Sequence, residues 1–203
     1  MKLSQNLLLF LTDLQVHNNK EWFHTHQDEY KQARWEFRSL IQYVYDQLSQ
    51  KDEMLQDIDP LKWIFRINRD IRFSKNKQPY KENFGASLVP EWKKSPFAWY
   101  YLHIQPWNHS FIAWWRYKPS SNILKILRYA ISKDFWTYQN LYNDPQLQNH
   151  FFMMNGDPVK PTPTWFSKTD PAISHIKNRS FAWQKILSDE QVTSKSFASN
   201  CVR

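Results

Sequence analysis

Hydrophobic spacing predicts helices near the N-terminus of the chain. Residues 3–14 are a short apolar stretch that predicts one helix. A long helix is predicted to follow and to end near Leu48, because apolar side chains recur at intervals of three, four or seven residues and so share one face. Asn18 and Asn19 predict its start, since Glu21 lies three residues after Asn18 and completes a capping-box spacing. The shared apolar face consists of Phe23, Tyr30, Ala33, Phe37, Ile41, Val44 and Leu48.

From Lys62 the hydrophobic period changes to two residues, which predicts a β-strand over residues 62–70. Arg69 falls on the apolar face of this strand, so we expect either a bend near Asn68 or a buried partner for Arg69. Further strands are predicted at residues 84–89, 98–105 and 111–117, the last two joined through residues 106–109 as a β-hairpin.

The rest of the chain predicts short helices and a second, smaller hairpin. Asn155-Gly156 predicts a tight turn between strands at residues 151–154 and 158–159. Residues 180–184 are predicted to close the sheet. Helices are predicted from Ser120 to about Ser132, after Asp144-Pro145 and after Asp170-Pro171.

These elements predict a single α+β domain over residues 1–187, with a mostly antiparallel sheet, N-terminal helices and further helices packed on the sheet. Residues 188–203 are predicted to be a flexible C-terminal tail. The chain of 203 residues has 11 Trp and 17% aromatic residues, so we expect a core rich in aromatic rings.

Composition removes several classes of function. Only 2 residues are Gly, and neither a dinucleotide-binding nor a P-loop glycine motif is present. Cys201 is the single cysteine, which rules out an internal disulfide or a cysteine-based zinc cluster. The apolar run before Thr12 is too short for a signal peptide or a membrane span. We therefore expect a cytoplasmic protein with no cofactor, no metal ion and no membrane partner.

Positive charge is concentrated in one segment of the chain. Residues 62–81 hold seven of the 27 basic residues and only one of the 19 acidic residues, while the whole chain has a net charge of +8. Such a confined basic patch suits a small anionic ligand or a polyanion.

The predicted site lies on this segment. Alternate residues of a strand project to one side about 7 Å apart, which lets two arginines grip one anion. The polar loop over residues 74–79 would bring further groups back to that anion. The predicted ligand-binding residues are Arg66, Arg69, Arg72 and Lys81, and the predicted catalytic residues are Asp70, Tyr80 and Lys77. Because the flanking arginines would lower the pKa of Asp70, we favour an orienting role for it over that of a general base.

Three functions remain open at this point. The first is binding of a phosphate- or carboxylate-bearing ligand, as an enzyme acting on a nucleotide or another phosphorylated substrate. The second is a nucleic-acid binding module in which the basic patch contacts phosphates and exposed Trp107, Trp114 or Trp115 stack on bases. The third is a structural or interaction domain in which Asp70 forms salt bridges that organise the fold.

The central motif resembles a known family. Arg66, Arg69, Asp70, Arg72, Phe73, Lys77 and Tyr80 reproduce the signature RxxRDxRFxxxKxxY of the family called domain of unknown function 2461. The stretch from Asn18 to Phe23 is similar to the opening motif of that family, and Arg179-Ser180-Phe181 to its closing strand. Tyr101 and His103 resemble its central strand, and we include His103 among the predicted ligand-binding residues. The resemblance implies an intracellular domain of this length without an assigned activity.

Overall fold

The computed structural model describes residues 2–56, 58–88, 98–116, 118–153 and 156–202, leaving aside the side chain of Trp115. Short 3₁₀ helices cover Glu53–Leu55 and Pro60–Trp63. The α-helices are α1 (Gln5–Val16), α2 (Lys20–Thr25), α3 (Gln27–Leu48), α4 (Ser121–Lys133), α5 (Phe135–Tyr142), α6 (Pro145–His150), α7 (Ile173–Ile176), α8 (Asp189–Thr193) and α9 (Phe197–Asn200). The strands are β1 (Phe84–Leu88), β2 (Trp99–Ile104), β3 (Ser110–Arg116), β4 (Phe152–Met153) and β5 (Phe181–Leu187).

The strands form an antiparallel sheet in the order β1-β2-β3-β5-β4. In the β1–β2 pair, Gly85 lies opposite His103 and Ser87 lies opposite Tyr101. The predicted α+β class is confirmed, with helices at the N-terminus. Contacts divide the chain into two compact units. Of the described residues, the first unit contains residues 2–88, Tyr100–Ile112 and residues 186–202, and the second contains the remainder. The predicted single domain stays a prediction.

The N-terminal helices follow the predicted apolar face. Phe23, Phe37 and Ile41 are buried in the core of the first unit together with Leu7 and Leu11 of α1. The helix is interrupted at His26, which ends α2 and precedes α3. Of the two predicted caps, Asn19 is confirmed, because its Oδ1 accepts the backbone N–H of Trp22 at 2.9 Å, whereas the capping box at Asn18 was wrong. Asn18 is used elsewhere, as described below.

The predicted strand over residues 62–70 was also wrong. The 3₁₀ helix ends at Trp63, and only two isolated strand-like pairs follow, Ile64 with Ala86 and Asn68 with Tyr80. The hydrophobic residues of this segment do alternate, but within the described ranges no continuous neighbouring strand pairs with it, so it does not form a β-strand. The hairpin between β2 and β3 is confirmed. At its turn Trp107 and Asn108 both have positive φ angles (67° and 58°), as a tight two-residue turn requires.

The second unit bears out most predicted helix starts. Helix α4 covers the predicted stretch, and Asp144 caps α6 with Pro145 in its first turn. Strand β4 pairs with β5, not with residues 158–159, so the predicted small hairpin was wrong in its pairing. Asn155 in its predicted turn lies outside the described residues, as do Val89 and Tyr117 at predicted strand ends.

Residues 188–202 are folded, where the sequence predicted a flexible tail. Ser188 and Gln191 form a reciprocal capping box that begins α8. Asp189 accepts the backbone N–H groups of Trp107 and Asn108 at 2.9 and 3.1 Å, which ties α8 to the hairpin turn. Val192 and Phe197 are fully buried in the core of the first unit. The sequence prediction was wrong here because the stretch is mostly polar, although Val192 and Phe197 are buried and fix it to the core.

We predict that Phe197→Ala lowers the free energy of unfolding by about 3–5 kcal/mol, because it empties a buried aromatic site. Urea unfolding measures this, with the exposed Lys195→Ala as the control, expected to change stability by less than about 0.5 kcal/mol. Equal stability of the two variants would show that the C-terminal residues do not pack as described.

Candidate functional site

The basic segment is held by a short backbone ladder. The N–H of Arg69 donates to the carbonyl of Pro79, and the N–H of Lys81 donates to the carbonyl of Ile67, each at 2.8 Å. Asn68 and Tyr80 lie opposite each other between these two bonds. The arginines on one side and the lysine on the other are therefore carried by a fixed backbone, although neither side is a regular strand.

Asn18 anchors this ladder to the helical core. Its side-chain amide donates to the carbonyl of Tyr80 at 3.1 Å, and its Oδ1 accepts the N–H of Tyr80 at 3.0 Å. The ring of Tyr80 is buried and stacks on Phe23, with ring centroids 4.0 Å apart. Burial raises the pKa of the Tyr80 phenol. Tyr80 thus joins the ladder to Asn18 through its backbone and to α2 through its ring.

The loop after the ladder forms its own bonds. Asp70 accepts two hydrogen bonds from the guanidinium of Arg72, Nε to Oδ1 at 2.9 Å and Nη2 to Oδ2 at 2.7 Å. Arg72 holds the pKa of Asp70 below its ordinary value, and Asp70 raises that of Arg72. Lys77 Nζ donates to the carbonyl of Ile71 at 3.1 Å. The single acid of the segment is therefore hydrogen-bonded to Arg72, and the charge of Arg66 also lowers the pKa of Asp70.

Arg66, Arg69 and Lys81 are the remaining cations near the ladder. Within the described part of the chain, no acid forms an ion pair with any of them. Lys81 Nζ donates to the carbonyl of Arg66 at 2.9 Å and lies 5.3 Å from the centroid of the Phe65 ring. Burial lowers the pKa of Lys81, and the nearby charge of Arg66 lowers it further. Two like charges are thus held close together.

A second polar group, which we call the Tyr101–His103 cluster, lies at β2 and consists of Asn83, Tyr101, His103 and Gln105. The Tyr101 hydroxyl and the Asn83 amide face Nδ1 of His103 at 3.0 and 3.3 Å, and Nε2 of His103 lies 2.9 Å from Gln105 Oε1. These partners fit a neutral imidazole with its proton on Nε2. Burial lowers the pKa of His103 and raises that of Tyr101 to about 12.

Phe65 and Gly85 connect the two groups. The ring of Phe65 contacts Lys81 Nζ and lies 6.0 Å from the ring of Tyr101 between centroids. The N–H of Phe65 donates to the carbonyl of Gly85 at 2.9 Å. A Cβ at Gly85 would lie only 2.7 Å from the Tyr101 hydroxyl, so the absence of a side chain there makes room for the bond to His103.

A family model described as "Conserved hypothetical protein (DUF2461)" matches residues 6–203. The chain belongs to this family. The DUF2461 match confirms the predicted family and includes both the basic segment and the Tyr101–His103 cluster. No curated protein and no solved structure matches the chain.

The predicted site residues of this DUF2461 chain divide into three sets. Arg66, Arg69 and Lys81 lie at the ladder without a described acid partner. Asp70, Arg72 and Lys77 bond within the loop, and Tyr80 is part of the core. His103 is in the Tyr101–His103 cluster, which Phe65 connects to Lys81.

Sequence reasoning missed Asn83, Gln105, Phe65 and Gly85. One signal was available, because Tyr101, His103 and Gln105 alternate along a strand and so share a face. Among the described residues, no three metal-binding side chains come together, and no helix is both long and apolar enough to span a bilayer.

We predict that Gly85→Ala and Tyr101→Phe are coupled. Alanine at position 85 displaces the Tyr101 hydroxyl and destabilises the protein, whereas in the Tyr101→Phe background the added methyl group meets no hydroxyl. A double-mutant cycle by urea unfolding should give a coupling of about 0.5–3 kcal/mol, with Gly85→Ala costing less in the double variant. Strict additivity would contradict the described contact.

We predict that His103 makes stability fall as the pH drops below 6.5. The pKa of His103 is lower in the folded state than its ordinary value of 6.5, so in that window the unfolded chain binds more protons and acid favours unfolding. His103→Gln should reduce the slope of unfolding free energy against pH by up to about 1.4 kcal/mol per unit. The exposed His24→Gln is the control, and an unchanged slope in His103→Gln would refute the assignment.

Proposed function

We propose that this protein binds a phosphate- or carboxylate-bearing ligand at Arg66, Arg69 and Lys81. One observation carries the proposal: a partly buried ammonium, Lys81, is held beside the charge of Arg66 with no described acid paired to either. Like charges brought together in this way repel each other, and an anion placed between them removes the repulsion.

The fixed backbone supports the same conclusion. The two ladder bonds, together with the two bonds from the Asn18 side chain to Tyr80, hold the backbone of Arg69 and Lys81 in place before any ligand arrives. A preorganised site loses less conformational freedom on binding, so more of the interaction energy appears as affinity. Arg66 and Arg69 each offer a planar fork that fits two oxygens of a phosphate or carboxylate, and Lys81 adds a compact charge.

The shape of the proposed site depends on three further residues, Asp70, Tyr80 and Lys77. Asp70 orients Arg72, Lys77 closes the loop on Ile71, and Tyr80 fixes the ladder against α2. The Tyr101–His103 cluster adds a neutral imidazole and a phenol near Phe65. A cytoplasmic location, expected from the sequence, is part of the proposal.

The alternative of a salt-bridged fold organiser has weaker support. The side chains of Asp70 and Arg72 are 47% and 75% exposed, so their ion pair is well solvated. Exposed pairs contribute only about 0–1 kcal/mol to stability. The fold organiser hypothesis requires a buried pair that costs several kcal/mol when broken, and this pair does not meet that requirement.

We predict that Arg66→Ala and Arg69→Ala each weaken binding of pyrophosphate or citrate about tenfold or more, since a charge-assisted hydrogen bond contributes about 1.5–3 kcal/mol. Isothermal titration calorimetry at low salt and pH 7 measures this. Lys168→Ala is the matched control, because it removes the same charge from an exposed position in the second unit.

The proposal fails if neither anion binds the unaltered protein. It also fails if Lys168→Ala weakens binding as much as the arginine variants, because attraction would then come from net charge alone. Circular dichroism of each variant establishes that the loss of binding is not a loss of folding.

A further inference from the structure

Phe73 is an exposed aromatic residue in the basic loop, residues 70–78, which connects the two sides of the ladder. Its side chain is 95% exposed, more than any other large hydrophobic residue in the described ranges. It follows Arg72 and precedes Ser74 in the same loop that continues from the proposed anion site. An aromatic ring in this position buries almost no apolar surface within the chain, so packing of the fold does not explain it.

Hydrogen bonds within the loop fix the residues on either side of the Phe73 ring. Asp70 grips the guanidinium of Arg72, whose central carbon lies 5.9 Å from the centroid of the Phe73 ring. The N–H of Ser74 donates to the carbonyl of Ile71 at 3.3 Å, and Lys77 Nζ donates to the same carbonyl. The Arg72 guanidinium therefore lies over one face of the ring, and the ring is otherwise exposed to solvent.

Positive charge lies on both sides of this ring along the chain. Arg66 and Arg69 precede it and have no described acid partner, and Lys75 follows it as an exposed side chain. Asp70 is the only acid from Arg66 to Lys81, and Arg72 neutralises it. A ring between cations is the arrangement by which proteins bind an unpaired nucleic-acid strand, with phosphates on the cations and a base on the ring.

We propose that this segment binds single-stranded nucleic acid, with a base stacked on Phe73 and the adjoining phosphates on Arg66, Arg69 and Lys75. This inference rests on the proposed function, and it identifies the phosphate-bearing ligand of that site as a nucleic-acid strand. A single strand is required because the bases of a duplex are already stacked on each other and closed to the ring.

Two other surfaces fit less well. Trp107 is exposed, but it lies at the hairpin turn whose N–H groups bond Asp189, next to Glu190, and these carboxylates repel phosphate. An anionic membrane would attract the basic loop, but Phe73 is the only large exposed apolar side chain between residues 70 and 78. A single ring offers little apolar area for insertion, whereas it is sufficient for stacking.

The test uses fluorescence anisotropy with a labelled oligothymidylate of about 15 nucleotides, a length that spans a typical single-strand site. Phe73→Leu keeps an apolar side chain but removes the aromatic face, and Phe73→Trp restores a face. We expect Phe73→Leu to weaken strand binding about tenfold and Phe73→Trp to retain it. A 2-aminopurine base in the strand should be quenched on binding by the unaltered protein and less by Phe73→Leu.

Pyrophosphate binding separates this inference from the proposed function. We expect Phe73→Leu to bind pyrophosphate normally, while Arg66→Ala loses both pyrophosphate and strand. If pyrophosphate binds as proposed but Phe73→Leu binds the strand as well as the unaltered protein does, the stacking inference is overturned and the anion site stands. If neither pyrophosphate nor citrate binds the unaltered protein, and Phe73→Leu leaves strand binding unchanged, both the proposed function and the stacking inference are overturned.

Two further arms distinguish other partners. Equal affinity for a duplex of the same length would overturn the inference, because no base is then free to stack. Cosedimentation with vesicles of phosphatidylcholine and phosphatidylserine tests for a membrane surface. If Phe73→Leu still cosediments with these vesicles and the unaltered protein does not bind the strand, the inference is overturned in favour of a membrane surface.

Discussion

The two hydrogen bonds between the Asn18 side chain and the backbone of Tyr80 determine where the basic segment lies. Asn18 belongs to the turn between α1 and α2, so its amide connects the helical core to a segment with little regular secondary structure of its own. The ring of Tyr80, stacked on Phe23, adds apolar burial at the same point. From this anchor the ladder places Arg69 and Lys81, and the loop places Phe73.

A segment fixed in this way carries an electrostatic cost that the rest of the fold must offset. Lys81 stays near Arg66 because its ammonium bonds the Arg66 carbonyl and lies against Phe65, and both contacts oppose the repulsion between the two charges. Departures from the most stable arrangement are expected at functional sites, where stability is given up for binding. The buried core of α1, α3 and β1 supplies the compensating stability.

Local signals predicted the helices and the β2–β3 hairpin because their periodicity and turn residues lie close together in the sequence. The same signals wrongly predicted a strand from Lys62 to Asp70, because in the part of the chain that the structure describes the alternating residues of this segment form strand-like pairs only at Ile64 and Asn68. The cations of the site were visible in the charge distribution, but which of them Asp70 would neutralise depends on the loop geometry. Likewise, nothing near Asn18 in the sequence indicates that its amide binds a residue 62 positions away.

The exposed Asp70–Arg72 pair adds little stability, and its importance in the proposed binding lies in orientation. Because both side chains are solvated, breaking the pair changes the stability of the fold little. The same pair sets the direction of the guanidinium that supports Phe73, and the backbone N–H of Arg72 also bonds Asp70 at 3.3 Å. Its contribution to the proposed complex is therefore to orientation: a guanidinium held over one face of the Phe73 ring limits the positions of that ring, and a ring with fewer positions would lose less entropy when a base of the proposed single strand stacks on it.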